Sequence, residues 1–461
     1  MDRHEAGVQA PLPYDYYGAY ADGFGPWRLD EGEDHPPTPK HAGHIYSDMI
    51  EGELSFGWRD SHAIIAEECT AAREGVAIFD QSYFGKFIVN GPDAAAAVQY
   101  LCGGDVASKP DGAITYTPLC NAKGGVEADL TVTTLFPDDV ARYSYLNGKC
   151  TGSDAGASSY YFAAGGGTAT KDLAWIERVL DNGGYNAAVH DISRTMSLLS
   201  IQGPHSRRLL QTITTSDPTM LDDEALPFSS YQNVEIAGVP VHCLRLTFVG
   251  ELGFELHVLS EHAETILRAL WEAGETYSAD HGVPVRNAGY MAIDSLSAEK
   301  GYRHWHADLT NRDTPMEAAI GFTVLPKLKA GIEFLGSDAL HAKRAEKLQR
   351  RLICLSIDGK ADGNGTAMGM PMNGLESIYR NGLPVGYVRS TAYGHTVGRT
   401  IAYGYVDVAP GEKSVTMAWL KEGEWGVWNH GQQVPATFHQ KSPYDPGNEK
   451  IKGGLSLTAS A

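Results

Sequence analysis

Apolar residues fall into two periods along this chain. The run SYFGKFIVNG (82–91) reads as a strand closing in a turn. PDAAAAVQYLC follows as a helix, with Asp93 at its N-cap and Val98 and Leu101 on one face. AITYTPLCNAKGGVEADLTVTTL predicts strand, glycine turn, strand, and VPVHCLRLTFVGELGFELHVL predicts a second such unit. TKDLAWIERVL (170–180) and PHSRRLLQTI (204–213) are short amphipathic helices. EHAETILRALWEAG (261–274) predicts a helix with Ile266, Leu267, Leu270 and Trp271 inward and Gly274 near its end.

The pattern changes after about residue 346. RRLICLSI, ESIYRNGLPVGYVRS, RTIAYGYVDV and SVTMAWL read as short strands, and Asn381-Gly382 is a tight hairpin turn. The organisation expected is an extended arm over 1–45, rich in Pro, Gly, Tyr and acids, then an α+β body over 46–345. A small β-barrel over 346–461 completes it. GKCTGSDAGASSYY (148–161) reads as a surface loop.

Composition narrows the function classes. A chain of 461 residues exceeds one hydrophobic core, and 43% hydrophobic with 20% charged residues is ordinary for a globular protein. The formal charge of −20 argues against a nucleic-acid groove or an anionic membrane surface as partner. Six cysteines at apolar positions, none with CxxC spacing, read as free buried thiols and suit a reducing cytoplasm. The first twenty residues hold no apolar signal-peptide core, and no 18-residue apolar run is present.

Three stretches carry candidate chemistry. In NAKGGVEADL (121–130), Glu127 and Asp129 share one strand face behind a glycine pair. Paired carboxylates can divide into a proton acceptor and a partner of raised pKa. A solvated hairpin edge is the plain alternative. In FVGELGFEL (248–256), glycines bracket Glu251 and a second acid, Glu255, follows. A carboxylate there can accept paired hydrogen bonds from an amidine-like edge, as in a guanidine or pterin; a charged hairpin tip is the alternative. In EKGYRHWHADL (299–309), His304 and His306 suggest a metal pair, but no third ligand is at useful spacing, and aromatic packing with charge pairs is the better reading. No metal is expected. GNGTAMG (363–369) misses the dinucleotide fingerprint, with turn rather than helix after it, and neither a Walker A nor a GxSxG sequence occurs.

YDYYGAY, FDQSYFGKF, YTPLCNAKGGVEADLTV, FVGELGFELHV, AIDSLSAEKGYRHWHADL and KSPYDP together resemble one family over residues 14–452. It is the folate-binding C-terminal portion of sarcosine and dimethylglycine dehydrogenases, itself similar to the glycine-cleavage T-protein (aminomethyltransferase). The resemblance implies two α+β subdomains around a central tetrahydrofolate channel, plus a C-terminal β-barrel. It implies that Asp129, the acid of NxxGGxxxDL, assists one-carbon transfer, and that Glu255, the acid of GExGxEL, holds the pterin's amino edge. Phe248 stands where T-proteins usually have Tyr; Tyr116, Phe84 and Gln202 lie in cavity-lining motifs, and Gly125 and Gly253 belong to the two glycine–acid units. Residues 361–370 look like an insertion.

The dehydrogenases also carry an N-terminal FAD domain, and this chain begins where that domain would end. The activity implied is a tetrahydrofolate-dependent methyl- or methylene-transferase acting on a small methylated substrate, without intrinsic amine oxidation. The alternative is a non-catalytic folate-binding subunit of a flavoprotein amine dehydrogenase or oxidase, with PYDYYGAY at the junction. A folate sensor without chemistry is disfavoured by the retained Asp129.

Overall fold

Strand parity builds the architecture. A computed structural model of the chain describes residues 61–139, 158–358, 372–409, 411–429 and 431–453. The expected arm over 1–45, the insertion 361–370, residues 148–157 of the expected loop and Cys150 lie outside these. Residues 1–67 and 68–461 form two units, and both sheets and the barrel belong to the second.

A six-stranded sheet runs in the order β11 (Val285–Asn287), β1 (Val76–Asp80), β7 (Met196–Gln202), β10 (Gly253–Leu259), β9 (Val239–Leu244), β8 (Tyr231–Ile236). Only the β11–β1 pair is parallel. A five-stranded antiparallel sheet runs β3 (Ile114–Cys120), β4 (Val126–Thr134), β5 (Tyr160–Ala164), β2 (Gly85–Asn90), β6 (Ala188–Asp191).

Each sheet turns one face to helices. Leu199, Ile201, Phe254, Leu256 and Val258 of the first pack on Leu209 and Leu210 of helix Ser206–Ile213 and on Ile266 and Leu270 of helix Ala263–His281. Phe87, Leu130, Val132 and Phe162 of the second pack on Val98 and Leu101 of helix Ala94–Leu101 and on Ile176 and Leu180 of helix Ala169–Gly183. The period of two sends the intervening residues to the opposite faces. Those faces meet through Ile88, Ile114, Tyr161, Met196, Tyr231 and Leu244. Gly253, Glu255 and His257 of β10, and Glu127, Asp129 and Thr131 of β4, therefore belong to this inner, inter-sheet surface.

The closed barrel is antiparallel throughout: β12 (Arg350–Ile357), β15 (Arg399–Asp407), β14 (Leu383–Gly394), β13 (Ser377–Arg380), β16 (Trp425–Asn429) and β17 (Gln432–His439), which pairs back with β12. Arg380 pairs Leu383 across Asn381 (φ 51°) and Gly382 (φ 77°), the two positive angles a two-residue hairpin requires.

Several local expectations shift. Asp93 stands at the expected N-cap, its carbonyl accepting the Ala97 N–H at 2.8 Å, but its side chain does not cap the helix; Oδ2 accepts the Asn186 backbone N–H at 2.8 Å, joining two loops. Gly274 lies inside helix Ala263–His281, because a Cβ there would stand 2.8 Å from Val285 Cγ1; Gly282 ends the helix instead. Leu267 and Trp271 face outward, 36% and 39% exposed. Tyr160 and Tyr161, read as loop, are buried in β5.

A buried ionic network knits the body to the barrel and the C-terminal segment. Arg73 donates through Nη1 to Glu251 Oε1 (3.2 Å) and the Val249 carbonyl (2.6 Å), and through Nη2 to Glu299 Oε2 (2.7 Å). Its guanidinium lies 4.0 Å above the Tyr444 ring, whose hydroxyl donates to Glu251 Oε1. Glu299 Oε1 accepts the Thr396 and Val397 N–H groups, and Lys300 Nζ reaches Asp445 Oδ2 at 2.7 Å. Glu251, the glycine-bracketed acid of GELG, thus holds the fold together. Burial raises its carboxyl above the ordinary range, against the pull of Arg73.

Candidate functional site

Asp129 sits on an interior strand whose even positions are buried and whose residues 127, 129 and 131 are only half-buried. That side of β4 is therefore incompletely covered. The turn before it is built by Asn121, whose Oδ1 accepts from Lys123 N and Gly125 N while Nδ2 donates to Glu127 Oε1 at 2.9 Å. Gly125 is required by its neighbour: a Cβ would stand 1.9 Å from the Asn311 carbonyl oxygen. The glycine pair thus lets loop backbone close on the turn, and its effect on the acid is indirect.

Tyr116, opposite Thr131 on β3, donates its hydroxyl to Asp129 Oδ2 at 2.8 Å. Burial pushes the Asp129 carboxyl up to about 6; the Tyr116 bond opposes this, and Asp172 and Asp308 add to it. Burial beside the same carboxylate pushes the Tyr116 phenol well above its ordinary value. Glu127 is tied to Asn121, so the two acids have separate surroundings.

Two acids that sequence reasoning passed over share this electrostatic field. Asp308 is buried, with Oδ2 accepting the His304 N–H at 2.9 Å and Oδ1 accepting the Ser390 hydroxyl. Asp294, partly exposed on the helix Tyr290–Lys300, is pushed up to about 7 by partial burial and by Asp308. Their signal in the sequence was a carboxylate amid apolar neighbours in AIDSL and WHADL. Nothing local says that residues 129, 294 and 308 converge.

His304 packs as the aromatic reading expected: its ring is edge-on to Phe248 at 5.0 Å, with Nε2 3.0 Å from Ser297 Oγ. His306, at φ 81°, leaves any strand geometry. Among the described residues no three His, Cys, Asp or Glu side chains are grouped to hold a metal. Phe248 stacks on Tyr302 at 5.6 Å.

On the facing sheet, Gln202 and Ser200 pair with Gly253 and Glu255. Gln202 Nε2 donates to Ser200 Oγ at 2.8 Å, while Oε1 accepts no hydrogen bond among the described residues. Gly253 makes room for that amide, since a Cβ would stand 1.8 Å from Gln202 Oε1. Glu255 keeps 12% of its side chain exposed, with Oε2 3.3 Å from His257 Nε2. Thr133 pairs Tyr161 of the neighbouring strand β5 in the same sheet, and Asp129 lies four residues along β4, ~13 Å at the usual strand rise. Phe84 lies in the turn between β1 and β2, edge-on to Tyr83 at 5.3 Å. The two sheets thus bring Asp129 with Tyr116, and Glu255 with Gln202 and Gly253, to one inner surface; Phe84 sits at its margin.

The chain matches the GCVT N-terminal domain family over residues 39–147 and 147–327, and the glycine cleavage T-protein C-terminal barrel domain over 350–445. It is 42% identical over 444 residues to mitochondrial sarcosine dehydrogenase of Mus musculus, covering 96% of this chain and 43% of that one. It is 33% identical to the formaldehyde-forming 4-methylaminobutanoate oxidase of Paenarthrobacter nicotinovorans, over 87% of this chain and 42% of that protein. It is 30% identical to an aminomethyltransferase of Caldanaerobacter subterraneus, over 74% of this chain and 80% of the other. The chain thus spans less than half the length of the first two. The crystal structure of aminomethyltransferase T from Bartonella henselae superposes with a TM-score of 0.65 over 87% of this chain and 96% of that one, at 21% identity, which shows the shared fold.

Proposed function

Because this chain belongs to the glycine-cleavage T-protein family, carrying both its N-terminal domain and its C-terminal barrel, we propose that it is a tetrahydrofolate-dependent one-carbon transferase. The carbon comes from a small methylated amine of the sarcosine or dimethylglycine kind, or from the iminium made from it. The observation that carries this reading is Asp129: a carboxylate held by Tyr116 on an incompletely covered strand face, with its pKa pushed up to about 6 by burial.

The acceptors on the inner surface fit a folate ring. Glu255 offers a carboxylate, and Gln202 Oε1 is a buried acceptor awaiting a donor. A pterin edge presents N–H donors to such a pair. When bound, tetrahydrofolate supplies the amine nitrogen that receives the carbon. Asp129 Oδ2 is occupied by the Tyr116 hydroxyl, leaving Oδ1 to accept the proton released from that nitrogen. A base whose pKa lies close to ambient pH takes and returns a proton with little penalty. The stacked rings of Phe248 and Tyr302 offer an aromatic surface of the kind that would screen a formaldehyde-level carbon from water.

A second reading is a folate-binding subunit that acts only with a separate flavoprotein. Incubating the pure chain with tetrahydrofolate and a panel of methylated amines, sulfonium compounds and aryl methyl ethers, then identifying the folate product, separates the readings. Full turnover by the lone chain removes the second; absence of folate binding removes both. Glu255→Ala weakens tetrahydrofolate binding by about 1.5–3 kcal/mol, as for a lost hydrogen bond to a charged group. Titration calorimetry checks this, and unaltered affinity removes Glu255 from the ring edge.

A further inference from the structure

We propose that His257 is a positioning residue for Glu255, locked by Tyr161 of the facing sheet so that the carboxylate is aimed before a ligand arrives. The inference rests on the folate reading above. His257 is fully buried and lies on the inner face with Gly253 and Glu255. Its Nδ1 stands 2.7 Å from the Tyr161 hydroxyl, and its Nε2 3.3 Å from Glu255 Oε2. The Tyr161 ring is edge-on to the imidazole at 5.3 Å. The bond therefore crosses from β5 to β10, between the two sheets.

The proton positions follow from the partners. Burial lowers the His257 pKa, and nearby Lys86 lowers it further against Glu255, so the imidazole is neutral and carries one N–H. A carboxylate only accepts, so Nε2 bears the hydrogen and Nδ1 accepts from the Tyr161 hydroxyl. Lys86, itself fully buried, donates its ammonium to the Ser82 carbonyl at 2.7 Å and keeps positive charge beside the ring. With Oε2 held by Nε2–H, rotation of the carboxylate is restrained. Oε1, and the second lone pair of Oε2, remain for a planar donor edge. A core histidine with no such task would gain nothing from facing an acid that keeps solvent contact.

The test is a double-mutant cycle on the full chain, read by tetrahydrofolate affinity and by steady-state kinetics with the best amine donor. His257→Phe is expected to weaken tetrahydrofolate about 5- to 20-fold, at the low end for a hydrogen bond to a charged group, because the ligand's own bonds to Glu255 are loosened rather than removed. It raises the folate KM while kcat stays within about twofold, and His257→Gln, which keeps a donor, recovers most of the loss. In the Glu255→Ala background, His257→Phe adds less than about twofold. Tyr161→Phe gives a smaller loss that also vanishes in that background, and it stands in should the histidine variant fail to fold. Equal losses with and without Glu255, or a parallel fall in kcat, overturn the inference while leaving the folate reading intact. A wild-type chain that binds no tetrahydrofolate overturns both.

Discussion

Asp129→Asn lowers turnover by ~10²- to 10⁴-fold, the contribution of a positioned general base, while tetrahydrofolate affinity stays within a few fold. The amide keeps the shape and can still receive the Tyr116 hydroxyl, so the loss isolates proton acceptance. The raised carboxyl also sets the pH profile. With a pKa of about 6, the wild-type rate is flat above neutrality and falls about tenfold per unit below that value. Unchanged turnover in the variant takes Asp129 out of the chemistry.

The same group sets the sign of a stability effect. The folded carboxyl holds its proton up to about pH 6, the unfolded one only to about 3.9. Between those values the folded state binds more protons, so stability from this site rises as pH falls through 6. At pH 8 the wild type carries a poorly solvated charge that the amide lacks. The Asp129→Asn variant therefore melts above the wild type at pH 8, and the two converge near pH 4. Such an exchange of stability for activity is expected where a charge is kept for chemistry.

Arg73→Met destabilises the protein by about 3–5 kcal/mol, because it leaves Glu251 and Glu299 buried without their cation. Chemical denaturation at pH 7 measures the loss. Arg73→Lys recovers only part of it, since one ammonium cannot replace a fork that reaches two carboxylates, a backbone carbonyl and the Tyr444 face. The Arg73→Met deficit narrows at acidic pH, where Glu251, already raised by burial, takes a proton. A variant as stable as the wild type shows the network to be dispensable.

Periodic features were legible in the sequence because they are local. The Asn381-Gly382 hairpin and the change from mixed to all-β pattern near residue 346 depend on nearest neighbours. The strand–turn–strand pattern before Asp129 was legible in the same way, although Gly125 also answers to the distant Asn311 carbonyl. What depended on distant partners was not. Gly274 signals a helix end, yet its missing Cβ serves contact with Val285. Asp93 carries the residue type of a cap, yet a loop amide from Asn186 claims it. The candidate site divides the same way. Asp129 stood out through its motif, and Glu255 through its resemblance to a known one. Asp308, Asp294, His257 and Tyr161 emerged only when two sheets and a buried helix brought separate stretches together. Glu251 shows the converse: conspicuous between glycines, it turned out to be a partner of Arg73.

The placement of that network bears on how the chain comes apart. Arg73 and Glu299 precede the first barrel strand, whereas Thr396 lies in the barrel and Tyr444 and Asp445 follow it. A cut near residue 348 would leave Glu299 without its barrel amides and Lys300 without Asp445, so each piece would have to rehydrate charges the other now shields. Body and barrel are expected to absorb heat in one calorimetric peak rather than two, with van't Hoff and calorimetric enthalpies in agreement.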